Sequence, residues 1–271
     1  MKRCIVIFGI CLSLLTTAAG CGEKDDSPPP TVAASTSYLE CAANEFLGED
    51  ESVLRLAGPG MCPGHFDIRP SQIEQLRTCR VLLRQDFQES LEAKLSDLKT
   101  AGLQVVSIKI PGGLCEPESY LDACRQTADA FVSSGLLKRF QADARLEKVA
   151  GRMASLSEWA SGQIASADLK GAPVLAGEPP AAGCRSLGLN VVATFKSSDA
   201  AGIADIDEAV RSARSDGVKV IIANLPAGRR LADSLADRLG AKVIVFGNFP
   251  TAEGFDKLVR DNVSALVAAK Q

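Results

Sequence analysis

Short apolar runs of β-type residues alternate along the chain with longer segments of helical periodicity, the rhythm of a parallel α/β architecture. The strand-type runs are Ser52 to Ala57, Arg80 to Arg84, Leu103 to Ile108, Ala172 to Ala176, Leu189 to Phe195, Val218 to Ala223 and Lys242 to Phe246. Helical spacing falls at Ser37 to Leu47, Pro70 to Thr78, Phe87 to Thr100, Ile203 to Asp216, Ala227 to Leu239 and Glu253 to Ala269. The clearest unit is GVKVIIANLPAGRRLADSLADRLGAKVIVF. It reads as a strand, a turn, a helix with Leu231, Leu235 and Leu239 on one face, a stop at Gly240, and a second strand. Residues 118–170 hold no strand, and their helical spacing is interrupted only lightly at Gly135. Ala, Leu, Arg, Lys and Glu dominate Leu136 to Leu169, which predicts one long helix there. The expected fold is α/β: two lobes with parallel sheets flanked by helices, joined by a long central helix.

The N-terminal pattern differs. Lys2 and Arg3 precede an apolar run from Ile5 to Leu15 and then small residues ending in TAAGC at Cys21. This predicts an export signal over 1–20, too short for a membrane span, with Cys21 as a lipoprotein-type lipidation site. GEKDDSPPPTVAA then reads as a polar, Pro-stiffened tether, which sets the expected boundaries. These are a signal peptide over 1–20, a lipid-anchored tether over 21–34, an N-terminal lobe over 35–117, connecting helices over 118–170 and a C-terminal lobe over 171–271. The protein is expected outside the cytoplasm, membrane-anchored and facing the periplasm or the cell exterior.

Composition narrows the partners. A net charge of -3 and a pI near 5.4 argue against nucleic acid. Setting aside Cys4, Cys11 and Cys21 leaves six cysteines: Cys41, Cys62, Cys79, Cys115, Cys124 and Cys184. In an exported chain these imply disulfides, with metal ligation as the competing use. The single histidine, His65, lies in GPGMCPGHFDIRPSQI, three residues after Cys62 and just before a helix start. A Cys-x-x-His pair in a Gly/Pro loop has chelating spacing, and thiolate with imidazole suits Zn2+ or Cu+ better than Mg2+ or Ca2+.

The stretch TSYLECAANEFLGEDESVLRLAGPGMCPGHFDIRPSQIEQLRTCRVLL resembles the first lobe of the zinc and manganese ABC-transporter substrate-binding proteins. RRLADSLADRLGAKVIVF and GFDKLVRDNVSALVAA resemble its second lobe. The resemblance spans roughly residues 31–269 and implies the long connecting helix. It puts His65 on the first metal ligand, with Gly64 as a one-residue insertion. It also exposes departures. PGGLCEP puts Gly112 at the second histidine position, with Cys115 and Glu116 nearby. VLAGEPP puts Gly177 or Glu178 at the third. Asn224 and Gly247 or Asn248 fall near the acidic ligands.

The implied function is capture of a divalent metal between two lobes for delivery to an ABC permease in the membrane, by a monomer. Zn2+ is the expected cargo, with Mn2+ or another transition metal as alternatives. The candidate ligands are His65, Cys62, Glu178 and one of Cys115 or Cys184. The alternative is a disulfide-stabilised family member without metal capture, acting as an envelope interaction module. No catalytic residue is expected. A single histidine without a nucleophile elbow marks no triad, and AGPGMCPG lacks the spacing of a phosphate or dinucleotide loop.

Overall fold

The computed structural model describes residues 29–48, 50–61, 64, 66–197, 200–227 and 229–270. The first lobe contains β1 (Val32–Ala34), α1 (Ser37–Asn44), β2 (Val53–Arg55), α2 (Pro70–Leu76), β3 (Val81–Gln85), α3 (Ser96–Thr100) and β4 (Gln104–Ile108), with a 3-10 helix over Asp86–Leu95 leading into α3. Two helices follow, α4 (Pro117–Ser133) and α5 (Arg139–Ser166). The second lobe contains β5 (Pro173–Gly177), α6 (Glu178–Ser186), β6 (Asn190–Phe195), α7 (Ile203–Ser215), β7 (Val220–Asn224), α8 (Arg230–Leu239), β8 (Lys242–Phe246) and α9 (Phe255–Lys270).

Each lobe is built on a four-stranded parallel sheet, ordered β2-β1-β3-β4 in the first and β6-β5-β7-β8 in the second. The second order is the first advanced by four strands, so the two lobes share one wiring. The outer face of each sheet has its own core, Leu82, Leu91 and Leu98 in the first lobe and Leu175, Val210 and Leu235 in the second. The inner faces share a single core. Leu83 and Ile108 from the first lobe, Val149, Met153 and Leu156 from α5, and Ile222 and Phe246 from the second lobe belong to one buried cluster.

Aromatic rings mark the seam. Tyr120 of α4 stacks on Phe255 of α9 at 4.0 Å, and Tyr38 of α1 meets both edge-on. Arg152 of α5 reinforces the join, pairing with Glu45 beyond α1 and with Asp256 of α9 (Nε to Oδ1, 3.0 Å). Arg260 of α9 lies over the Trp159 ring of α5, 4.5 Å from its centroid.

The expected two-lobe α/β architecture is the one observed. The tether boundary needs correction, because Val32, Ala33 and Ala34 are fully buried and form an interior strand of the first sheet. A Pro-rich prelude hides a strand that is too short to show alternation. The expected helix over Leu136 to Leu169 is the 28-residue α5, separated from α4 by the Gly135 turn. Residues 87–100 begin as 3-10 rather than α helix, and the reading of strands and loops missed α6 altogether. Among the described residues, no helix is long and apolar enough to cross a membrane. The segment 1–28, with Cys21, lies outside the described residues.

Because the seam is continuous core, Phe255→Ala should cost about 3–5 kcal/mol. Urea unfolding followed separately by Trp159 fluorescence and by far-UV circular dichroism should show one shared, shifted transition. Two separated transitions would mean that the lobes are independent.

Candidate functional site

In parallel sheets of this kind, ligands bind outside the carboxyl ends of the strands. Four segments at those ends correspond to the positions singled out in the sequence. The loop after β4 carries Gly112, Gly113, Cys115 and Glu116. Proline at the start of α4 and Glu116 at its N-cap fix where this loop ends. The space a side chain would fill at Gly112 is taken by Glu116 Oε2 and Ser119 Oγ, 2.2 and 2.3 Å from an ideal Cβ. Ser119 Oγ in turn donates to Glu116 Oε2 at 3.0 Å. An ideal Cβ at Gly113 would lie 2.8 Å from Gly183 N of α6, so the two lobes touch here backbone to backbone.

The adjacent Cys115 ties the same loop to the segment after β8. Its Sγ donates to Gly247 O at 3.0 Å and accepts from Asn262 Nδ2 at 3.4 Å. Asn262 also clamps Gly247, accepting from its N and donating to its O, each at 2.9 Å. Packing around the sulfur pushes the Cys115 thiol up to about 12, chiefly by burial. Cys184, fully buried in α6, is likewise pushed up to about 12 by burial. Both are neutral thiols at pH 7.

The other candidates are dispersed. Glu178 opens α6 and is exposed. With Asn224 at the end of β7, it lines a cavity of about 110 Å³ at the second lobe's own switch point. Asn224, Asn248 and Asn262 are buried, so amides are among the buried polar groups on this side, and the Glu178 carboxylate is exposed. Cys41 Sγ accepts from Tyr120 OH at 3.3 Å. Cys79 lies at the opposite end of the first sheet, against Pro30 O, and Cys124 is fully buried in α4. Cys41, Cys79, Cys115, Cys124 and Cys184 are all free thiols, so the expected disulfides are absent among the described cysteines. Cys62 and His65 lie outside the described residues. Among the described residues, no three His, Cys, Asp or Glu side chains are grouped to hold a metal. The structure therefore brings Cys115 close to the β8 loop and to α6, and leaves Glu178 apart.

Asn262 escaped the sequence reading. Its signal was a polar residue within the apolar stripe of Leu258, Val259, Val263 and Leu266. Ser37, buried in the first turn of α1, and Gln85, buried at the end of β3, were also missed and carry no sequence signal.

Residues 115–269 match the family model described as zinc-uptake complex component A, periplasmic. The chain belongs to this family. Its members are periplasmic metal-binding components of ABC transporters, substrate-binding proteins rather than enzymes. The match begins at Cys115 and does not include residues 58–66. The fold is similar to that of a Mn-bound periplasmic metal-binding protein from Candidatus Liberibacter asiaticus, with a TM-score of 0.76, 10% identity, and coverage of 89% of this chain and 100% of that one. A crystal structure of ZnuA gives 0.73 at 13% identity, covering 90% of this chain and 100% of that one. The Cd-bound form of the Liberibacter protein gives 0.75 at 11% identity, covering 89% and 100%. No curated protein matches the sequence.

Two tests follow from this geometry. Gly113→Ala must push backbone against backbone and should cost about 1–3 kcal/mol, while Gly112→Ala meets only the movable ends of Glu116 and Ser119 and should cost less. Thermal melting of the two variants checks the order. The buried thiols also set a pH dependence. Their folded values lie above the ordinary 9.0, so their contribution is complete below pH 9 and is lost as pH rises from there toward 12. A pH series of melts should decline across that window, less steeply in Cys115→Ala.

Proposed function

We propose that the protein is the extracytoplasmic substrate-binding component of a zinc-type ABC transporter, capturing one divalent metal between its lobes for delivery to the permease. It acts as a monomer, anchored to the membrane through lipidated Cys21. The observation that carries this reading is the family match over 115–269, on a molecule whose two lobes are wired alike and braced by α5. His65 and Cys62 form the chelating pair, with Glu178 and one of Cys115 or Cys184 as further ligands. Zn2+ is the preferred cargo, and Mn2+ the principal alternative.

A specific observation favours a second reading. The Cys115, Gly247 and Asn262 bonds already hold the β4 and β8 loops together, and Glu116 fills the space beside Gly112. A member closed in this way without metal is an interaction module of the envelope, held by packing rather than by disulfides.

Equilibrium dialysis of the mature chain against zinc, with His65→Ala in parallel, separates the two. Metal capture predicts one tightly bound zinc per chain, lost in the variant. Ligation by Cys62 and by one of Cys115 or Cys184 releases about two protons, so affinity should rise about a hundredfold per pH unit as pH approaches 8. A slope of only about tenfold would remove Cys115 and Cys184 from the ligand set, and a flat profile would remove Cys62 as well. Absence of specific zinc binding would favour the interaction module.

A further inference from the structure

The first lobe holds a set of polar atoms that the metal ligands above do not use. From β1 the chain goes to β2 on one side and to β3 on the other, so the topological switch point lies between β1 and β3. The crevice outside the carboxyl ends of two such strands is the usual ligand position in open parallel sheets. Ser37, in the first turn of α1, and Gln85, the last residue of β3, stand at this edge, only 2% and 1% exposed. Ser37 Oγ and both amide atoms of Gln85 have no hydrogen-bond partner among the described residues. A buried carboxamide unbonded at both ends carries its full desolvation penalty.

Tyr38 OH, in the same turn as Ser37, also lacks a partner among the described residues, while the residues flanking Ser37 and Gln85 are bonded. Gln88 Oε1 accepts from Ser35 Oγ at 2.6 Å and from Gln85 N at 2.9 Å. Thr36 caps α1 and accepts from Leu39 N, and the first amides of this eight-residue helix, which follows β1, have no partner within the helix. Ala57 N donates to Ser35 O, so the segment leading into residues 58–66 starts beside this cluster.

A hydroxyl, a primary amide and a helix N-terminus together suit an oxyanion. Two of the cations near this edge are already engaged. Arg84 is turned onto Glu92 and Ser107, and Arg152 holds Glu45 and Asp256. Lys109, which follows Ile108, the register partner of Gln85, has no ion pair among the described residues but is exposed, so an anion seated among the buried atoms is best matched when it brings its own positive charge. The metal-capture reading, on which this inference rests, has the complementary shortage: Gly112 offers no side chain where the resembled family has a histidine, and amides stand near its acidic positions.

We propose that the ligand is a divalent metal chelated by a small carboxylate, whose free oxygens accept hydrogen bonds from Ser37 Oγ, Gln85 Nε2 and the first turn of α1. The carboxylate supplies the metal with oxygens that the protein lacks and gives Ser37 Oγ and Gln85 Nε2 an acceptor.

The test is equilibrium dialysis of the mature chain with zinc, with radiolabelled citrate, and with both. The expected result is one citrate retained per chain only when zinc is present, with zinc bound at least about tenfold more tightly in its company. Gln85→Leu removes an unbonded buried amide, so it should keep or raise the melting temperature while lowering citrate retention about tenfold. Ser37→Ala should act in the same direction. Equal zinc binding with and without citrate, and no citrate retained, would overturn the carboxylate while leaving metal capture standing. Undiminished retention in a folded Gln85→Leu would overturn the assigned site. Failure of zinc to bind under either condition would overturn both.

Discussion

The stack of Tyr120 on Phe255, with Tyr38 edge-on to both, joins three helices from two lobes inside one apolar core, and the arrangement of the interlobe loops depends on it. Tyr120 lies one helical turn after Glu116, where the β4 loop ends, and Phe255 opens α9 just after the β8 loop. Once the rings are face to face, the two loops ahead of them are brought together, and Cys115 meets Gly247. The glycines at 113 and 183 then allow backbones to approach where any side chain would separate them. Arg152 adds charge pairs across the same seam, but they are partly exposed and weaker than the buried aromatic area.

Sharing this core has a cost in variety of motion. Lobes that pack against a common helix through buried side chains cannot swing freely about a linker, because any large rotation would expose apolar surface on both. Differences in ligand chemistry therefore fall to the loops, which the core does not specify. That is how about 10% identity to a solved Mn-bound protein coexists with the same fold over 89% of this chain. The two switch points show the divergence within one molecule. The first is lined by hydroxyls and carboxamides, while the second has exposed Glu178 beside buried Asn224.

Much of the fold was legible because the pattern of burial is written in apolar spacing. β7, α8 and β8 emerge almost where the sequence puts them, since Leu231, Leu235 and Gly240 mark a face and a stop. β1 was not legible, because three residues are too few for a period and sit next to prolines. α6 was hidden for a different reason, its Pro-Pro start reading as a loop although proline is well placed in a first helical turn. In the site, Gly112 and Cys115 could be located by resemblance, yet their roles depended on tertiary approach. Nothing in the sequence tells that Glu116 folds back over Gly112, or that Asn262, well over a hundred residues away from Cys115, reaches its sulfur. Gln85 is the extreme case: what distinguishes it is the lack of a partner, a property that exists only in three dimensions.

The placement of β1 also bears on how the molecule is assembled. Val32–Ala34 is the first strand among the described residues, yet both of its edges are paired, with β2 and with β3. A chain that emerges from its amino end delivers this template before either neighbour, and its second edge stays unpaired until residues near Val81 have followed. During that interval the first lobe has a backbone row open to any passing strand. Its shortness, only three residues, limits how firmly a wrong partner could bind.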